Sequence, residues 1–285
     1  MQPENLLHQI HLPTQKCTVG CPLLDRCLGG GIPCNSITEL VAENGTGKTQ
    51  FCLQLVLYAQ LPPSRGGLSA SSLYIHTEYP FPFRRLRQLS RAFPLLPTPD
   101  HPVADPCDRV FVQGVYTADE LVDALPKIEL FLIHSKSRFP LRVIVIDSIA
   151  ALFRSDFDNT GLDLRRRSSL FFKIAGGLKS LAKRFGLAVV VTNQVVDLIE
   201  GGNGNGVRVG NLGVLYSSGR RVAPALGLAW ANCVNSRLFL SRHDDGADVD
   251  GSCSKSRRRI SVVFAPHLPH SSSEFVITTE GVFGR

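Results

Sequence analysis

One loop of the chain carries side chains and backbone groups that suit a nucleotide phosphate. Its candidate nucleotide-binding residues are Ala42, Glu43, Asn44, Gly45, Thr46, Gly47, Lys48, Thr49 and Gln50. An apolar run at residues 37–41 predicts a buried strand before the loop, and a helical pattern at residues 50–59 follows it. Backbone N–H groups and the helix N-terminus would face the phosphates. The Lys48 ammonium would reach the β- and γ-phosphates and the Thr49 hydroxyl would hold Mg²⁺, so the sequence predicts a P-loop for a nucleoside triphosphate.

The first position of this loop departs from the P-loop pattern, because Ala42 stands where the pattern has glycine. If that position requires a positive φ, the β-carbon of Ala42 would cost about 1–2 kcal/mol. We expect such strain to be tolerated. The alternative is a chance Gly-x-Gly-Lys-Thr turn on a solvated loop, which the flanking strand and helix patterns disfavour.

Two acidic residues follow predicted strands and could complete the site. Asp147 ends the apolar run at residues 143–146 and could hold Mg²⁺ through water, although an aspartate there could instead cap the next helix. Glu78 ends a strand at residues 72–77, which is expected to lie next to the loop strand. Its carboxylate could polarise an attacking water, and an ordinary turn acid is the alternative.

A glutamine ends another predicted strand. Gln194 follows the run at residues 187–192, and its amide could sense the γ-phosphate or could only satisfy backbone groups. The candidate catalytic residues are Lys48, Glu78 and Gln194. The candidate metal ligands are Thr49 and Asp147.

The composition indicates a globular chain with positive charge. The 285 residues are 44% hydrophobic and 19% charged, with a net charge of +7 and a pI of about 9.1. A polyanionic partner or simple solubility would explain this charge equally well. The cysteines form no C-x-x-C pair, so we expect core thiols in a reducing compartment. No apolar run reaches the length of a bilayer span, so no membrane partner is expected.

Strand-like and helix-like segments alternate along the chain, which predicts an α/β fold with a mostly parallel central sheet flanked by helices. Residues 1–16 are interpreted as a short polar tail. Residues 17–285 are interpreted as one core without a separate N-terminal helical domain. The last part has strand patterns at residues 236–241, 260–264 and 274–278, which are expected to add antiparallel at the sheet edge.

Two loops with nearby arginines are expected at the same sheet edge as the P-loop. The first covers residues 155–163, and the second covers residues 195–227 and includes a glycine-rich run. Such loops suit a phosphodiester backbone, and flexible linkers are the alternative. The candidate DNA-binding residues are Arg165, Arg167, Arg208, Arg220 and Arg221.

Together these features resemble the RecA/RadA-type recombinase family, whose signatures occur here in the expected order. They are the entry segment 18–32, the acid-bearing segment 74–78, and the strand ends at 147–154 and 190–195. The resemblance covers residues 17–285 and implies a RecA-like P-loop ATPase core that uses ATP. Residues 227–236, 264–269 and 277–281 further resemble one recombinase paralogue within the family.

The resemblance implies roles for individual residues. The family's catalytic glutamate, Walker B acid and γ-phosphate-responsive glutamine correspond to Glu78, Asp147 and Gln194. Arg85 and Pro269 match positions that sandwich the adenine, and Arg167 matches an arginine of the first DNA-binding loop. Phe264 stands where the recombinases carry an aspartate that caps the neighbouring subunit's ATP. This change and Ala42 argue against a long homopolymeric filament and favour a small hetero-complex with another recombinase paralogue.

The resemblance finally implies a nuclear protein of homologous recombination repair of double-strand breaks and of meiosis. Such a protein would bind single-stranded and branched DNA, assist the filament of the main eukaryotic recombinase and help process junction intermediates. Two alternatives stay open, a weak DNA-dependent ATPase and a non-hydrolysing structural adaptor. A RecA-fold helicase or clock-type ATPase is a third. The basic run at residues 255–259 could be a nuclear import signal or a solvated turn.

Overall fold

The computed structural model describes residues 14–78, 80–93, 105–135, 137–154, 160–198, 215–243 and 257–285 of the chain. The strands are β1 (Lys16–Cys17), β2 (Ile32–Pro33), β3 (Ser36–Ala42), β4 (Ser71–His76), β5 (Val110–Gly114), β6 (Leu141–Asp147), β7 (Ala188–Asn193), β8 (Val195–Asp197), β9 (Leu215–Ser217), β10 (Arg220–Pro224), β11 (Ser236–His243), β12 (Arg257–Phe264), β13 (Ser272–Ile277) and β14 (Val282–Gly284). The helices are α1 (Pro22–Cys27), α2 (Lys48–Tyr58), α3 (Phe83–Ala92), α4 (Ala118–His134), α5 (Gly161–Phe185) and α6 (Gly227–Ala231). The predicted glycine-rich run and Arg208 lie outside the described residues.

The central sheet contains nine strands in the order β14-β13-β12-β11-β3-β7-β6-β4-β5. The strands from β11 to β5 in this order are parallel to their neighbours. The strands β12, β13 and β14 are antiparallel. This arrangement confirms the predicted fold class, a mostly parallel α/β sheet with antiparallel C-terminal strands.

Two predictions about strand neighbours are wrong. The first C-terminal strand is predicted to be antiparallel, but β11 pairs parallel with β3. The intervening chain returns to the amino end of the sheet before β11 begins, as a parallel pair requires. The strand that leads to Glu78 is predicted to lie beside the loop strand β3, but β7 and β6 separate β4 from β3. Crossover connections decide strand order, and hydrophobic patterns do not encode it.

Both faces of the sheet are covered by helices, which explains the continuous apolar strand patterns. In β6, Val143 and Val145 belong to the core layer under α2, whereas Ile144 and Ile146 belong to the layer under α4 and α5. All four side chains are fully buried. The sheet core is therefore largely apolar on both sides, apart from a few buried polar groups such as the Glu39–Arg237 pair.

The helix signals in the sequence correspond to helices, with one difference at α4. The Thr117 hydroxyl accepts a hydrogen bond from the Glu120 N–H (3.1 Å), as expected for an N-cap. The Glu120 carboxylate accepts from the Tyr116 N–H (2.8 Å), one residue earlier than in a capping box. The helix continues through the exposed Pro126 without a break. Within the described part of the chain, no helix has the length and apolarity needed to cross a membrane.

The described ends of the predicted arginine-bearing loops are regular structure. Helix α5 begins at Gly161, after the N-cap Thr160, so Arg165 and Arg167 lie on its first turns. The strands β8, β9 and β10 form a separate antiparallel sheet with β10 in the centre. We call these three strands the small sheet; they lie within the segment that the sequence predicts to be a loop.

Candidate nucleotide-binding site

The candidate site lies at the carboxyl ends of the parallel strands, where the P-loop connects β3 to α2. Gly45 and Gly47 have φ angles of 77° and 123°, which L side chains rarely adopt. A β-carbon at Gly47 would also lie 2.6 Å from Cδ1 of Ile277. Ala42 is the last residue of β3 and does not have a positive φ. The strain considered for this alanine therefore does not arise.

The Lys48 side chain is buried inside the loop. Its Nζ donates hydrogen bonds to the carbonyl oxygens of Ala42 (2.7 Å) and Glu43 (3.1 Å). Burial lowers the pKa of the Lys48 ammonium, although the negative charges of Asp147 and Glu78 oppose this shift. Among the described residues, the hydrogen-bond partners of this buried cation are neutral carbonyls. Exchanging them for charged phosphate oxygens would give stronger, charge-assisted hydrogen bonds.

Three hydroxyl groups surround the carboxylate of Asp147. Thr49 Oγ1 and Tyr74 Oη donate to its Oδ2 at 2.7 and 2.6 Å, and Thr192 Oγ1 donates to its Oδ1 at 2.6 Å. Burial, followed by the charge of Asp147, raises the pKa of Tyr74 well above its ordinary value. The sequence singled out Thr49 and Asp147 but missed Tyr74 and Thr192. Both residues lie in predicted strands, Tyr74 in β4 and Thr192 next to the carboxyl end of β7, and a hydroxyl group at such a position was the signal available.

The carboxylate of Glu78 faces a cation that the sequence interpretation had not assigned to the site. Arg154 Nη1 lies 2.7 Å from Glu78 Oε1, and their side chains are 55% and 25% exposed. Gln194 Nε2 lies 3.4 Å from both carboxylate oxygens of Glu78. The structure therefore brings Glu78 and Gln194 together, as predicted from their positions at strand ends. Arg154 shared the signature segment 147–154 but no role was predicted for it.

Glu43 connects the loop to the small sheet. Ser217 Oγ donates to Glu43 Oε1 (2.7 Å), the Ser218 hydroxyl donates to the same oxygen, and Arg220 Nη2 lies 2.8 Å from Glu43 Oε2. Burial alone would raise the pKa of the Glu43 carboxyl, but the hydrogen bonds from Ser218, Ser217 and Arg220 lower it below its ordinary value. The candidate DNA-binding residue Arg220 also pairs with Asp197 at 2.8 Å.

Arg85 reaches the loop side of the sheet. Its Nε donates to Gln50 Oε1 (2.6 Å), and its Nη1 and Nη2 donate to the carbonyls of Thr279 (2.8 Å) and Thr278 (2.6 Å). Helix α3 is thereby tied to the first turn of α2 and to the C-terminal turn. Of the residues predicted to sandwich the adenine, Arg85 is on the same side of the molecule as the P-loop.

Pro269 lies at the other end of the sheet. It follows β12, whose last residue Phe264 pairs with Arg237 near the start of β11. The P-loop instead follows the end of β3, and strands of this length separate their two ends by about 20 Å. Arg85 and Pro269 of one chain therefore do not meet across one adenine. Contact of Pro269 with an adenine would require a nucleotide held by a neighbouring subunit.

The described DNA-binding candidates lie around the same carboxyl edge. Arg165 is exposed on α5, and the guanidinium of Arg167 lies 5.4 Å from the centroid of the Phe171 ring. Burial lowers the pKa of Arg167. Arg220 and Arg221 lie on β10 of the small sheet. These four positions remain predictions as DNA contacts, as does Arg208.

The residues at this edge fit a nucleoside triphosphate with Mg²⁺. The loop surrounds the N-terminus of α2, and Thr46 Oγ1 is buried without a hydrogen-bond partner among the described residues. The Thr49 hydroxyl donates a hydrogen bond to Asp147, so the lone pairs of Thr49 Oγ1 are available to a cation. A hydroxyl and a carboxylate are the hard oxygen ligands that Mg²⁺ prefers. These residues thus provide hydrogen-bond donors for phosphate and oxygen ligands for a metal ion side by side.

Comparison with known proteins identifies the relatives of this chain. It is 57% identical over 300 residues to the DNA repair protein XRCC3 homolog of Arabidopsis thaliana, across 99% of this chain and 97% of that protein. It is 36% identical to the DNA repair protein XRCC3 of Bos taurus, across 95% of this chain and 75% of the relative. It is 30% identical to the DNA repair protein RAD51 homolog 2 of Homo sapiens, across 91% and 66%.

These similarities confirm the resemblance predicted from the sequence motifs, including the three segments that resemble a plant form of the XRCC3 paralogue. The model of the Rad51 family matches residues 13–284, which is nearly the whole chain. The chain therefore belongs to the Rad51 family.

Proposed function

We propose that this chain binds ATP and Mg²⁺ and acts in homologous recombination repair of double-strand breaks as a subunit of a recombinase-paralogue complex. The observation that carries the proposal is the convergence of Lys48, Asp147, Glu78 and Gln194 on one edge of the sheet. The similarity to relatives named DNA repair proteins supports the repair role. By the same reasoning we propose a nuclear protein that also serves meiotic recombination, assists the main recombinase filament and helps process junction intermediates.

The side chains of the site would divide the work on ATP among them. Lys48 would leave the carbonyls of Ala42 and Glu43 and donate to phosphate oxygens, while Thr49 and Asp147 would hold Mg²⁺. When bound, Mg²⁺ supplies charge that neutralises the phosphates. Glu78 would orient the attacking water, and Gln194 would report the presence of the γ-phosphate.

One observation favours an adaptor with slow turnover over an efficient ATPase. One carboxylate oxygen of Glu78, Oε1, is in an ion pair with Arg154 at 2.7 Å. While this pair persists, that oxygen is held by the guanidinium and is not free to orient an attacking water. ATP would then act mainly by stabilising one shape of the subunit, and hydrolysis would require Glu78 to separate from Arg154.

An open sheet edge supports the proposal of a protein partner. Among the described strands, β5 pairs only with β4 and is the last strand of the sheet. Beside it lies a groove of about 690 Å³ lined by apolar side chains that include Leu73, Ile75 and Val115. Phe111 and Phe131, which are 43% and 44% exposed, form its outer wall. An extended segment of another recombinase paralogue could add to β5 and place apolar side chains in this groove.

DNA would approach the carboxyl edge, near the nucleotide. Arg165 and Arg167 on α5 and Arg220 and Arg221 on β10 are the described candidates. Guanidinium groups bind phosphates without regard to base sequence, which suits single-stranded and branched DNA. Arg220 would have to exchange Glu43 or Asp197 for a phosphate, so we expect it to contribute less than Arg165.

The test of the ATP proposal uses Lys48→Ala and Glu78→Gln. We expect Lys48→Ala to abolish binding of ATP with Mg²⁺ and to abolish repair of double-strand breaks in cells that depend on this chain. We expect Glu78→Gln to bind ATP like the wild type. Lys183→Ala removes an exposed lysine from the last turn of α5 and is the matched control. Undiminished ATP binding by Lys48→Ala would overturn the proposal.

The repair result with Glu78→Gln separates the two alternatives. If repair survives this change but not Lys48→Ala, hydrolysis is dispensable and the chain is an adaptor. If both changes abolish repair, the chain acts as an ATPase.

The test of the partner proposal is co-purification from cells, with and without ATP. We expect the wild-type chain to recover another recombinase paralogue and Phe131→Asp to recover much less of it. Phe172→Asp places the same charge at a phenylalanine that is 60% exposed on α5, outside the groove, and is the control. Recovery of homo-oligomers alone would contradict the hetero-complex.

A further inference from the structure

The Glu43 side chain links the P-loop directly to β9 and β10 of the small sheet and, through Arg220, to β8. Its oxygen Oε1 accepts from Ser217 and Ser218, which lie at the end of β9 and in the turn that follows. Its oxygen Oε2 pairs with Arg220 at 2.8 Å, and Arg220 Nη1 pairs with Asp197 of β8 at 2.8 Å. One carboxylate of the loop thus holds the ends of two strands and the start of the third.

This contact is more than a surface ion pair. The Glu43 side chain is 10% exposed, and Ser217 is fully buried. Hydrogen bonds to a charged, mostly buried carboxylate are stronger than those between neutral exposed groups. The low pKa of Glu43 described above agrees with a carboxylate that stays charged in this position.

The backbone of the same residue contacts the lysine that would move when a triphosphate binds. Lys48 Nζ donates to the Glu43 carbonyl (3.1 Å) and to the Ala42 carbonyl (2.7 Å). If a phosphate draws Lys48 away, the carbonyl of Glu43 loses the hydrogen bond that Lys48 donates to it. The side chain of Glu43 carries any resulting displacement directly to Ser217, Ser218 and Arg220.

We propose that Glu43 couples occupancy of the P-loop to the small sheet, by a route that does not pass through Gln194. The inference rests on the proposed binding of ATP. In this route the nucleotide acts through Lys48 and the Glu43 backbone, and the Glu43 carboxylate transmits the change to β8, β9 and β10. The small sheet carries Arg220 and Arg221, so the route places nucleotide control on candidate DNA-binding residues.

Hydrogen exchange of the full chain with and without ATP and Mg²⁺ tests this coupling. We expect ATP to slow exchange of the amides in residues 215–224 about fivefold or more, the lower range of measured allosteric couplings. In the Ser217→Ala/Ser218→Ala double variant, which keeps the P-loop intact, ATP should bind with little change and the slowing should be lost. Ser169→Ala/Ser180→Ala removes two exposed serines of α5 and is the matched control.

A second variant tests the link from the loop side, because Ser217 Oγ also accepts from the Arg242 N–H at 3.0 Å. Glu43→Ala, measured at an ATP concentration that saturates it by direct titration, should lose the slowing in the same residues. Protection of the buried strands β6 and β7 verifies that each variant is folded.

The outcomes separate the two proposals. A slowing in the wild type that both variants lose supports the coupling. ATP binding with no change in the small sheet, or with a change that both variants retain, overturns the coupling and leaves the proposed function standing. If the wild-type chain does not bind ATP, the proposed function fails and the coupling fails with it.

Discussion

Two clusters of charged side chains lie at different levels along and just beyond β3, a lower layer in the core and an upper layer at the P-loop. They differ in burial. In the lower layer, Glu39 pairs with Arg237 at 2.5 Å and accepts from Asn193 Nδ2 at 2.7 Å, and both charged side chains are at most 1% exposed. In the upper layer, at the P-loop, Glu43 pairs with an arginine that is 53% exposed. The same glutamate–arginine chemistry therefore occurs both in the core and at the rim.

This difference in burial determines which ion pair can rearrange when a ligand binds. The buried pair cannot open without leaving a charge in the core, at a cost of several kcal/mol. At the rim, the guanidinium groups of Arg154 and Arg220 are more than half exposed, so they can leave Glu78 and Glu43 for water without stranding a cation in the core. We infer that the lower layer holds β3, β7 and β11 in register, while the upper layer can rearrange when ATP binds.

The largest expected effect comes from breaking the lower layer. Arg237→Met should lower the free energy of unfolding by about 3–5 kcal/mol, because it leaves the Glu39 carboxylate buried without its cation. Chemical denaturation measures this loss. Adding Glu39→Gln should recover part of it, since the unpaired charge is then gone. A loss below about 1 kcal/mol for Arg237→Met would show that the two layers do not differ.

A smaller effect is expected at the rim from Glu43→Gln. We expect a loss of about 1.5–3 kcal/mol near neutral pH, the range for hydrogen bonds to a charged group. The folded chain holds the pKa of Glu43 below its ordinary value. The contribution of its charge is thus full above the unfolded pKa of about 4.3 and is lost as pH falls through the lower folded pKa.

Denaturation of the wild type and Glu43→Gln at several pH values tests this sign. The difference between them should be constant from neutral pH to about 5 and should shrink as the pH falls further. Glu280→Gln, at an exposed glutamate of the C-terminal turn, is the control and should show no such difference. A difference that grows on acidification would contradict the prediction.

Arg154→Gln should change stability by less than about 1 kcal/mol, because the pair with Glu78 is partly exposed. Its effect on turnover should be clearer. Once Arg154 no longer holds the Glu78 carboxylate, that carboxylate is free to orient the attacking water, so the ATP hydrolysed per bound ATP should rise. A phosphate-release assay at saturating ATP measures it, with Glu78→Gln/Arg154→Gln as the background. A fall in turnover would instead assign Arg154 a positive role.

The smallest effect is expected at a fully superficial pair. Arg166 Nη2 lies 3.0 Å from Asp119 Oδ2, and the side chains are 58% and 63% exposed. Arg166→Ala should change the free energy of unfolding by at most about 0.5 kcal/mol. Thermal denaturation at low and high salt measures this change. A larger loss in the free energy of unfolding would show that the exposure of an ion pair does not by itself set its contribution to stability.

The candidate site shows how far residue patterns lead. Asp147, Glu78 and Gln194 were each predicted from one signal, a polar residue after an apolar strand, and all three occupy the same edge. Arg154 lacks that signal, since it follows a short helical turn and reaches Glu78 only through the fold. Ser217 and Ser218 also lack that signal, because the segment around them has the composition of a loop.

Residue patterns alone predicted the P-loop, the alternation of the main strands and helices, and the resemblance to the family, but not the small sheet. Those properties are local, since strand period, helix period and motif spacing are set by neighbouring residues. The three-dimensional fold was needed to show that β7 and β6 separate Glu78 from the loop strand, and that Arg85 and Pro269 lie at opposite ends of the sheet. It also paired Glu43 with the small sheet. Such relations depend on crossover connections and on packing between distant segments, which no local pattern encodes.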